Sequence, residues 1–157
     1  MRVAAPQDAS IPQGTGSNSY TMQLYASCAA LDGAGVLLLG ASGSGKSDLL
    51  LRLLDHGFSL VADDRVELDD GTVSAPAALA GLIEVRGLGI MRLPFAETAR
   101  LALVVELGRG ERLPEPEQRY GVPLVRIDPA MASAPSRVGA ALRCALGETE
   151  LLVGALA

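Results

Sequence analysis

The stretch GASGSGKSDLLLRLLDHGFSLVADD, residues 40–64, decides the fold of this chain. Its first eight residues match the spacing G-x-x-x-x-G-K-[ST], which is typical of a loop whose backbone N–H groups surround nucleotide phosphates. An apolar run, Val36 to Leu39, precedes this loop, and leucines at helical spacing follow it. The order strand, loop, helix predicts a phosphate-binding loop at a helix N-terminus. The alternative is a solvated Gly/Ser-rich loop in which Lys46 is an ordinary first-turn residue.

Every position of this loop is a candidate for binding the nucleotide. Lys46 can neutralise charge on the β- and γ-phosphates, and the Ser47 hydroxyl can coordinate Mg²⁺. The glycines allow a close approach of the backbone that a side chain would obstruct. The candidate cofactor-binding residues are Gly40, Ala41, Ser42, Gly43, Ser44, Gly45, Lys46 and Ser47.

Two adjacent acids, Asp63 and Asp64, end the next apolar run. Ligands of open α/β sheets bind beyond the carboxyl ends of the strands, and we expect the strand of the acids to lie next to the strand before the loop. Neighbouring residues on a strand point to opposite faces, which predicts different roles for the two acids. One would hold Mg²⁺ through water and the other would accept a hydroxyl proton. A solvated strand end or a helix-capping pair is the alternative.

The composition favours one globular domain and disfavours several classes of function. The 157 residues suit a single domain, and 49% of them are hydrophobic. The net charge of −5 argues against a nucleic-acid-binding protein. The N-terminus lacks a secretion signal and no apolar run approaches the roughly 20 residues of a membrane span, which predicts a cytoplasmic location. Cys28 and Cys144 stand singly in apolar contexts, which predicts buried free thiols rather than a metal cluster.

The patterns along the chain predict an α/β fold. We expect a flexible leader over residues 1–20 and a single domain over residues 21–157. Thr21 to Leu31 is predicted to be one strand, joined by an Asp-Gly turn to the strand before the loop. Past the acids we expect a surface hairpin at 65–77, strands at 82–93, 99–108 and 124–128, and a polar loop at 109–123. From Ser136 onward we expect a mostly helical segment that is broken or bent near Gly147.

Three motifs in order resemble a known family. The chain carries GASGSGKS, then VADDRVEL, then EVRGLGI, and this series is similar to the catalytic domain of bacterial HPr kinase/phosphorylase from about Leu24 to Val105. The resemblance implies a P-loop core related to the phosphoenolpyruvate carboxykinase-like kinase fold, with a mixed sheet and flanking helices. The shortness of the chain resembles the compact form found in alphaproteobacteria, which lacks a separate N-terminal domain.

The resemblance also implies an activity and its partners. Members of that family use ATP, or pyrophosphate, with Mg²⁺ to phosphorylate a serine of an HPr-like phosphocarrier protein, and they catalyse the reverse phosphorolysis. They are commonly oligomeric, which implies a homo-oligomer here.

The site residues follow by motif. The resemblance implies catalytic roles for Lys46, Arg86 and both acids, with one of Asp63 and Asp64 as the base for the seryl hydroxyl. It implies Ser47, Glu84 and Asp64 as metal ligands. An exposed strand acid at Glu84 and a surface ion pair at Arg86 are the alternatives.

The sequence departs from the family pattern at two places. Tyr25 stands where the family usually has a histidine, and the only histidine of the chain, His56, is predicted to cap a helix end. The C-terminal part matches weakly, with Arg137 either reaching phosphate or solvated at a helix start. These departures leave open a nucleotide-binding regulatory module, or a P-loop kinase of another acceptor.

Overall fold

The computed structural model describes residues 9–12 and 20–157. Within them the chain forms twelve strands, two α-helices and a short 3-10 helix. The strands are β1 (Ala9–Pro12), β2 (Tyr20–Leu24), β3 (Ser27–Leu31), β4 (Ala34–Leu39), β5 (Ser59–Ala62), β6 (Val66–Asp69), β7 (Thr72–Ser74), β8 (Leu82–Val85), β9 (Gly89–Arg92), β10 (Ala99–Leu107), β11 (Gln118–Arg119) and β12 (Val122–Ile127). The helices are α1 (Lys46–Asp55) and α2 (Ala134–Ala145), and the 3-10 helix is Ala77–Leu79.

One mixed sheet organises the molecule, as the sequence predicts. Its strand order is β1-β2-β6-β7-β10-β4-β3-β5, and β12 also pairs with β10. β10 runs parallel to β4 and β12 and antiparallel to β7. β8 and β9 form a separate two-stranded sheet.

The core has two parts, one on each face of the sheet. On one face, both helices and the β8–β9 hairpin contribute buried residues such as Leu49, Leu53, Ile83 and Leu142. The other cluster draws its buried residues from the strands and the link at Ala26.

Three strands bring the phosphate loop and the acids to one edge of the sheet. β3 pairs antiparallel with both β4 and β5, so β4 and β5 run in the same direction and end at the same edge. The prediction that the strand of the acids lies next to the strand before the loop is therefore wrong, because β3 lies between them. Ser27, the first residue of β3, pairs with Leu38 at this edge.

Two predicted strands are in fact divided. The predicted strand from Thr21 to Leu31 breaks at Tyr25 and Ala26, where β2 pairs with β6 and β3 pairs with β4. The predicted strand over 82–93 is the hairpin β8–β9, because the turn at Gly87 (φ 86°) folds the chain back on itself. In both segments the hydrophobic pattern of the sequence continues across the break. The breaks become visible only from the strands with which each half pairs.

Other predicted elements agree more closely. Asp-Gly turns with positive φ join β3 to β4 and β6 to β7. The β6–β7 hairpin is less exposed than the predicted surface hairpin, because Val66 and Val73 are fully buried. The predicted polar loop contains the short strand β11 and the start of β12, and α2 starts two residues earlier than expected. The prediction that helix continues beyond Gly147 is wrong, because α2 ends at Ala145 and residues 146–157 form turns and bends.

The N-terminal leader predicted over residues 1–20 falls largely outside the described residues. Within that segment the structure describes Ala9–Pro12, which pairs with β2, and Tyr20, at which β2 begins. Neither of the helices in the described part of the chain has the length and apolar character that crossing a membrane requires.

The cysteines agree in part with the prediction of buried thiols. Both are free, but only Cys28 is fully buried, while Cys144 is half-buried on α2. Burial raises the pKa of the Cys28 thiol well above its usual range, so that this thiol stays neutral and unreactive.

We expect Leu103→Ala to lower the free energy of unfolding by about 2–5 kcal/mol, because this fully buried side chain would leave a cavity beneath the helices. Chemical denaturation measures the effect. Leu152→Ala is the matched control, since its side chain is 79% exposed, and we expect a change within about 0.5 kcal/mol. Equal effects of the two substitutions would contradict this description of the core.

Candidate functional site

The loop between β4 and α1 has the backbone shape that its sequence predicts. The Ser44 N–H donates to the Ala41 carbonyl at 3.0 Å, which closes a turn. Gly45, the N-cap of α1, has φ 106°, a conformation that side chains disfavour. A Cβ at Gly40 would collide with the Ser44 hydroxyl. The loop therefore favours glycine at Gly45 because of its backbone conformation, and a side chain at Gly40 would force the Ser44 hydroxyl to move.

The loop rests against the ends of two other strands. A Cβ at Gly45 would lie 3.5 Å from Pro129, and Leu107, at the end of β10, lies beside Gly40. Arg52 of α1 donates to the carbonyls of Pro129 and Met131. These contacts hold the segment after β12 against α1 and support one side of the loop.

The loop leaves polar groups available to an anion. Among the described residues, no side-chain cap bonds to the first turn of α1, so the N–H groups of this turn stay available to a ligand. The Ser44 hydroxyl is buried without a hydrogen-bond partner among the described residues. Both features suit phosphate oxygens, which accept hydrogen bonds and favour the positive end of the helix dipole.

Lys46, the only lysine of the chain, is directed into the loop. It is 9% exposed, and its Nζ donates to the Gly40 carbonyl at 2.7 Å and to the Ala41 carbonyl at 3.1 Å. The ammonium group is thus buried and held by the backbone of the loop. A phosphate oxygen would be a stronger, charged acceptor for the same donors.

Asp63 lies directly against the loop helix. Its Oδ1 accepts from the Ser47 hydroxyl at 2.7 Å and from the Ser27 hydroxyl at 2.9 Å, and its Oδ2 accepts from the Glu84 N–H at 3.2 Å. One carboxylate thereby connects α1, β3 and β8.

Asp64 is oriented differently from its neighbour. It is exposed and has φ 70°, an uncommon conformation for a residue other than glycine. Its N–H donates to the Ser27 hydroxyl at 3.3 Å. The two acids lie in a bend after β5 rather than within the strand, and they nevertheless have separate surroundings.

The β8–β9 hairpin carries the motif EVRGLGI, and only the backbone of this motif reaches the acid pair. The Glu84 backbone contacts Asp63, while the side chains of Glu84 and Arg86 are exposed. The structure thus brings together the loop, Ser47, Asp63 and the backbone of Glu84. Among the contacts of the described residues, none joins Arg86 to these groups.

The donor set fits Mg²⁺. The Ser47 hydroxyl and the Asp63 carboxylate supply hard oxygen ligands, and Mg²⁺ is usually held by one or two carboxylates together with substrate phosphates. In residues 9–12 and 20–157, no group of three or more His, Cys, Asp or Glu side chains is placed to hold a metal ion. A metal here would therefore need ligands from a phosphate.

The remaining candidates lie outside this group. His56 caps α1, as predicted, with its ring Nδ1 2.9 Å from the Arg52 carbonyl. Arg137 is exposed and donates to the Ser133 hydroxyl at 2.8 Å within its own helix. Tyr25 is 39% exposed, and the Arg65 guanidinium lies 4.7 Å from the centre of its ring.

Sequence reasoning missed Ser27. This serine is fully buried at the start of β3 and contacts both acids. No spacing motif marks it, and the available signal was a polar residue inside an apolar strand.

A second polar group lies beyond the loop, on β10 and β12. Arg126 donates to Glu106 at 2.8 Å and through two nitrogens to Glu117. This bidentate pairing lowers the pKa of Glu117 and raises that of Arg126. The positive charge of Arg126 is thus balanced by Glu106 and Glu117. Because Glu117 ends the polar segment 109–117, its bonds to Arg126 hold this segment against the sheet.

The fold and the loop define a P-loop α/β domain, and comparison with known proteins gives its family. Residues 18–112 match the family model of the HPr Serine kinase C-terminal domain. The match covers more than half of the chain, and the chain belongs to this family.

Several proteins named HPr kinase/phosphorylase are similar to this chain. The one from Aromatoleum aromaticum is 44% identical over 116 residues, covering 60% of this chain and 37% of that protein. The one from Bordetella pertussis is 46% identical over 100 residues, covering 52% of this chain and 32% of that protein. This chain thus spans about a third of the length of these relatives.

A solved structure supports the fold over a larger part of the chain. The structure of the Hpr(Ser) kinase/phosphatase from Coxiella burnetii aligns with a TM-score of 0.65 and 25% identity, covering 80% of this chain and 91% of that chain.

We expect Lys46→Ala to abolish measurable ADP binding, because the loop loses the ammonium group that is directed into it. Isothermal calorimetry measures the affinity. Arg100→Ala is the control, since it removes the same charge from a side chain that contacts the Asp70 carbonyl on the β6–β7 hairpin. Retained affinity in Lys46→Ala would contradict the assignment of the loop.

Proposed function

We propose that this chain is the phosphoryl-transfer domain of an ATP- and Mg²⁺-dependent serine kinase/phosphorylase that acts on an HPr-like phosphocarrier protein. The observation that carries the proposal is the 2.7 Å hydrogen bond from the Ser47 hydroxyl to Asp63, beside a loop shaped for phosphate. Names of the relatives and of the matching structure support the choice of acceptor.

The donor side of the site consists of the loop and α1. The backbone N–H groups and Lys46 bind and orient the phosphates of ATP, or of pyrophosphate, at the positive end of the helix. Ser47 has one proton and two lone pairs, and donating the proton to Asp63 leaves a lone pair for Mg²⁺. When bound, the metal would neutralise charge on the transferred phosphoryl group.

The two acids divide their roles by their contacts. Asp63 already contacts Ser47, so it is the better candidate for supporting Mg²⁺ than Asp64, which the sequence analysis assigned to the metal. Asp64 is exposed and next to Asp63, which suits the acceptance of a proton from an incoming seryl hydroxyl. Glu84, on β8, would support the metal, and Arg86, on the hairpin turn, would act on the phosphoryl group.

Asp64 moves a proton in both the kinase reaction and the phosphorolysis. In the forward direction Asp64 takes the seryl proton as the serine oxygen attacks the γ-phosphorus, and ADP leaves. In the phosphorolysis, an oxygen of inorganic phosphate attacks the phosphorus of phosphoserine and loses its proton to Asp64. The bond between that phosphorus and the serine oxygen breaks, Asp64 passes the proton to the serine oxygen, and pyrophosphate and serine are the products. The protein contributes positioning and charge stabilisation rather than a covalent intermediate. A cytoplasmic location and a homo-oligomer stay predictions.

A nucleotide-responsive regulatory module is a second candidate, and Tyr25 is the observation that favours it. A phenol does not reproduce the proton-handling or phosphate-contacting imidazole that the family pattern has there. The Arg65 guanidinium over its ring also orders this surface without contributing a base. In such a module the loop would bind nucleotide, and a partner protein would read the bound state.

Substituting each acid separately tests the division of roles. We expect Asp64→Asn to keep Mg²⁺-dependent ADP affinity and to lower the transfer rate by about 10²–10⁴-fold, because the base is lost. Asp63→Asn should lower the Mg²⁺-dependent affinity itself. Labelled ATP with an HPr-like protein measures transfer, and the same acceptor with its target serine changed to alanine is the control. A wild-type transfer rate in Asp64→Asn would contradict the assignment of Asp64 as the base.

The residue at position 25 separates the two functions. We expect the native protein to transfer phosphate to an HPr-like protein, and Tyr25→Phe to behave similarly because the ring remains beneath Arg65. The measurement is the same labelled-ATP assay, with nucleotide binding followed in parallel. Binding without transfer in the native protein, with activity appearing only in Tyr25→His, would favour the regulatory module.

A further inference from the structure

Ser27 is an unusual residue for its position. Among the described residues, the buried set contains only two polar or charged side chains, Ser27 and Lys46. Lys46 belongs to the phosphate loop, whereas Ser27 lies on β3, a strand otherwise made of Cys, Ala and Leu. Ala29, in the same strand, is also fully buried. Packing at this position would thus be satisfied by alanine, and the hydroxyl needs a separate explanation.

The hydroxyl of Ser27 contacts both acids at once. It donates to Asp63 Oδ1 at 2.9 Å and accepts from the Asp64 N–H at 3.3 Å. A buried hydroxyl that lacks partners is costly, and here both kinds of hydrogen bond are made to the acid pair.

Each of these contacts constrains a different acid. The bond to Asp63 leaves Oδ1 shared between Ser27 and Ser47, which fixes the carboxylate at the start of α1. The bond from the Asp64 N–H supports the left-handed backbone at that residue, where φ is 70°. That conformation turns the chain between the two acids, so that Asp63 is half-buried and Asp64 is exposed.

We propose that Ser27 is a positioning residue for the acid pair, holding Asp63 against Ser47 and fixing the backbone that presents Asp64 to the acceptor. This inference rests on the proposed function, because it assigns Asp63 to the metal side and Asp64 to the acceptor side. Ser27 itself does not contact the reacting atoms.

Four variants separate the hydrogen bonds from packing. Ser27→Ala removes the hydroxyl, Ser27→Cys retains most of the volume with a weak hydrogen-bonding group, and Ser27→Thr retains the hydroxyl. Cys28→Ala is the matched control, because it removes one side-chain atom from the neighbouring, equally buried residue, whose thiol contacts the Ala29 carbonyl instead of the acids.

Two measurements report on the two bonds. The ratio of ADP affinities with and without Mg²⁺ reports on Asp63, and we expect Ser27→Ala and Ser27→Cys to lower it on the order of tenfold, as loss of a partner of a metal-site residue does. Hydrogen exchange of the Asp64 amide, followed by NMR without nucleotide, reports on the second bond and should be faster in both variants. Ser27→Thr and Cys28→Ala should resemble the wild type in both measurements.

The outcomes distinguish the inference from the function on which it rests. If Mg²⁺ strengthens ADP binding equally in the wild type, Ser27→Ala and Ser27→Cys, the positioning role is wrong while the proposed metal site stands. Wild-type behaviour of Ser27→Cys alone would also overturn the inference, because packing would then explain the serine. An absence of any Mg²⁺ effect in the wild type would contradict the proposed function and the role of Ser27 with it.

Discussion

The Asp63 carboxylate is the interaction on which the site depends. It accepts hydrogen bonds from Ser47 on α1, from Ser27 on β3 and from the Glu84 backbone on β8. These three elements come from distant parts of the sequence, and no other contact described for the site joins all of them. Because charged acceptors make stronger hydrogen bonds than neutral ones, this carboxylate can determine where the phosphate loop lies relative to the hairpin of the third motif.

The phosphate loop could be predicted because its determinants are local. The glycines, Lys46 and Ser47 act through backbone conformation and spacing within eight residues, and the flanking strand and helix have their own periodic patterns. The helix end at His56 and the turns at Asp32 and Asp70 follow from equally local chemistry. The family resemblance connected the phosphate loop with the acid pair and with Glu84, a connection that the spacing of the residues alone does not provide.

The features that sequence reasoning missed depend on pairing between distant strands. The break at Tyr25 and Ala26 exists because β2 and β3 pair with different partners, although their hydrophobic pattern is continuous. The same pairing inserts β3 between β4 and β5, which the sequence analysis expected to be adjacent strands. Ser27 acquires its contacts only through this arrangement, so that an isolated serine in the sequence carries no sign of its two bonds.

A crystal structure of the protein with ADP and Mg²⁺ tests the central claim most directly. The account predicts that the metal is bound by the Ser47 hydroxyl, with Asp63 as its supporting carboxylate, directly or through water, and with Asp64 clear of the metal. Asp63 should keep its hydrogen bond to Ser27 in that complex. A metal ion bound by Asp64, with Asp63 turned away from Ser47, would contradict the account.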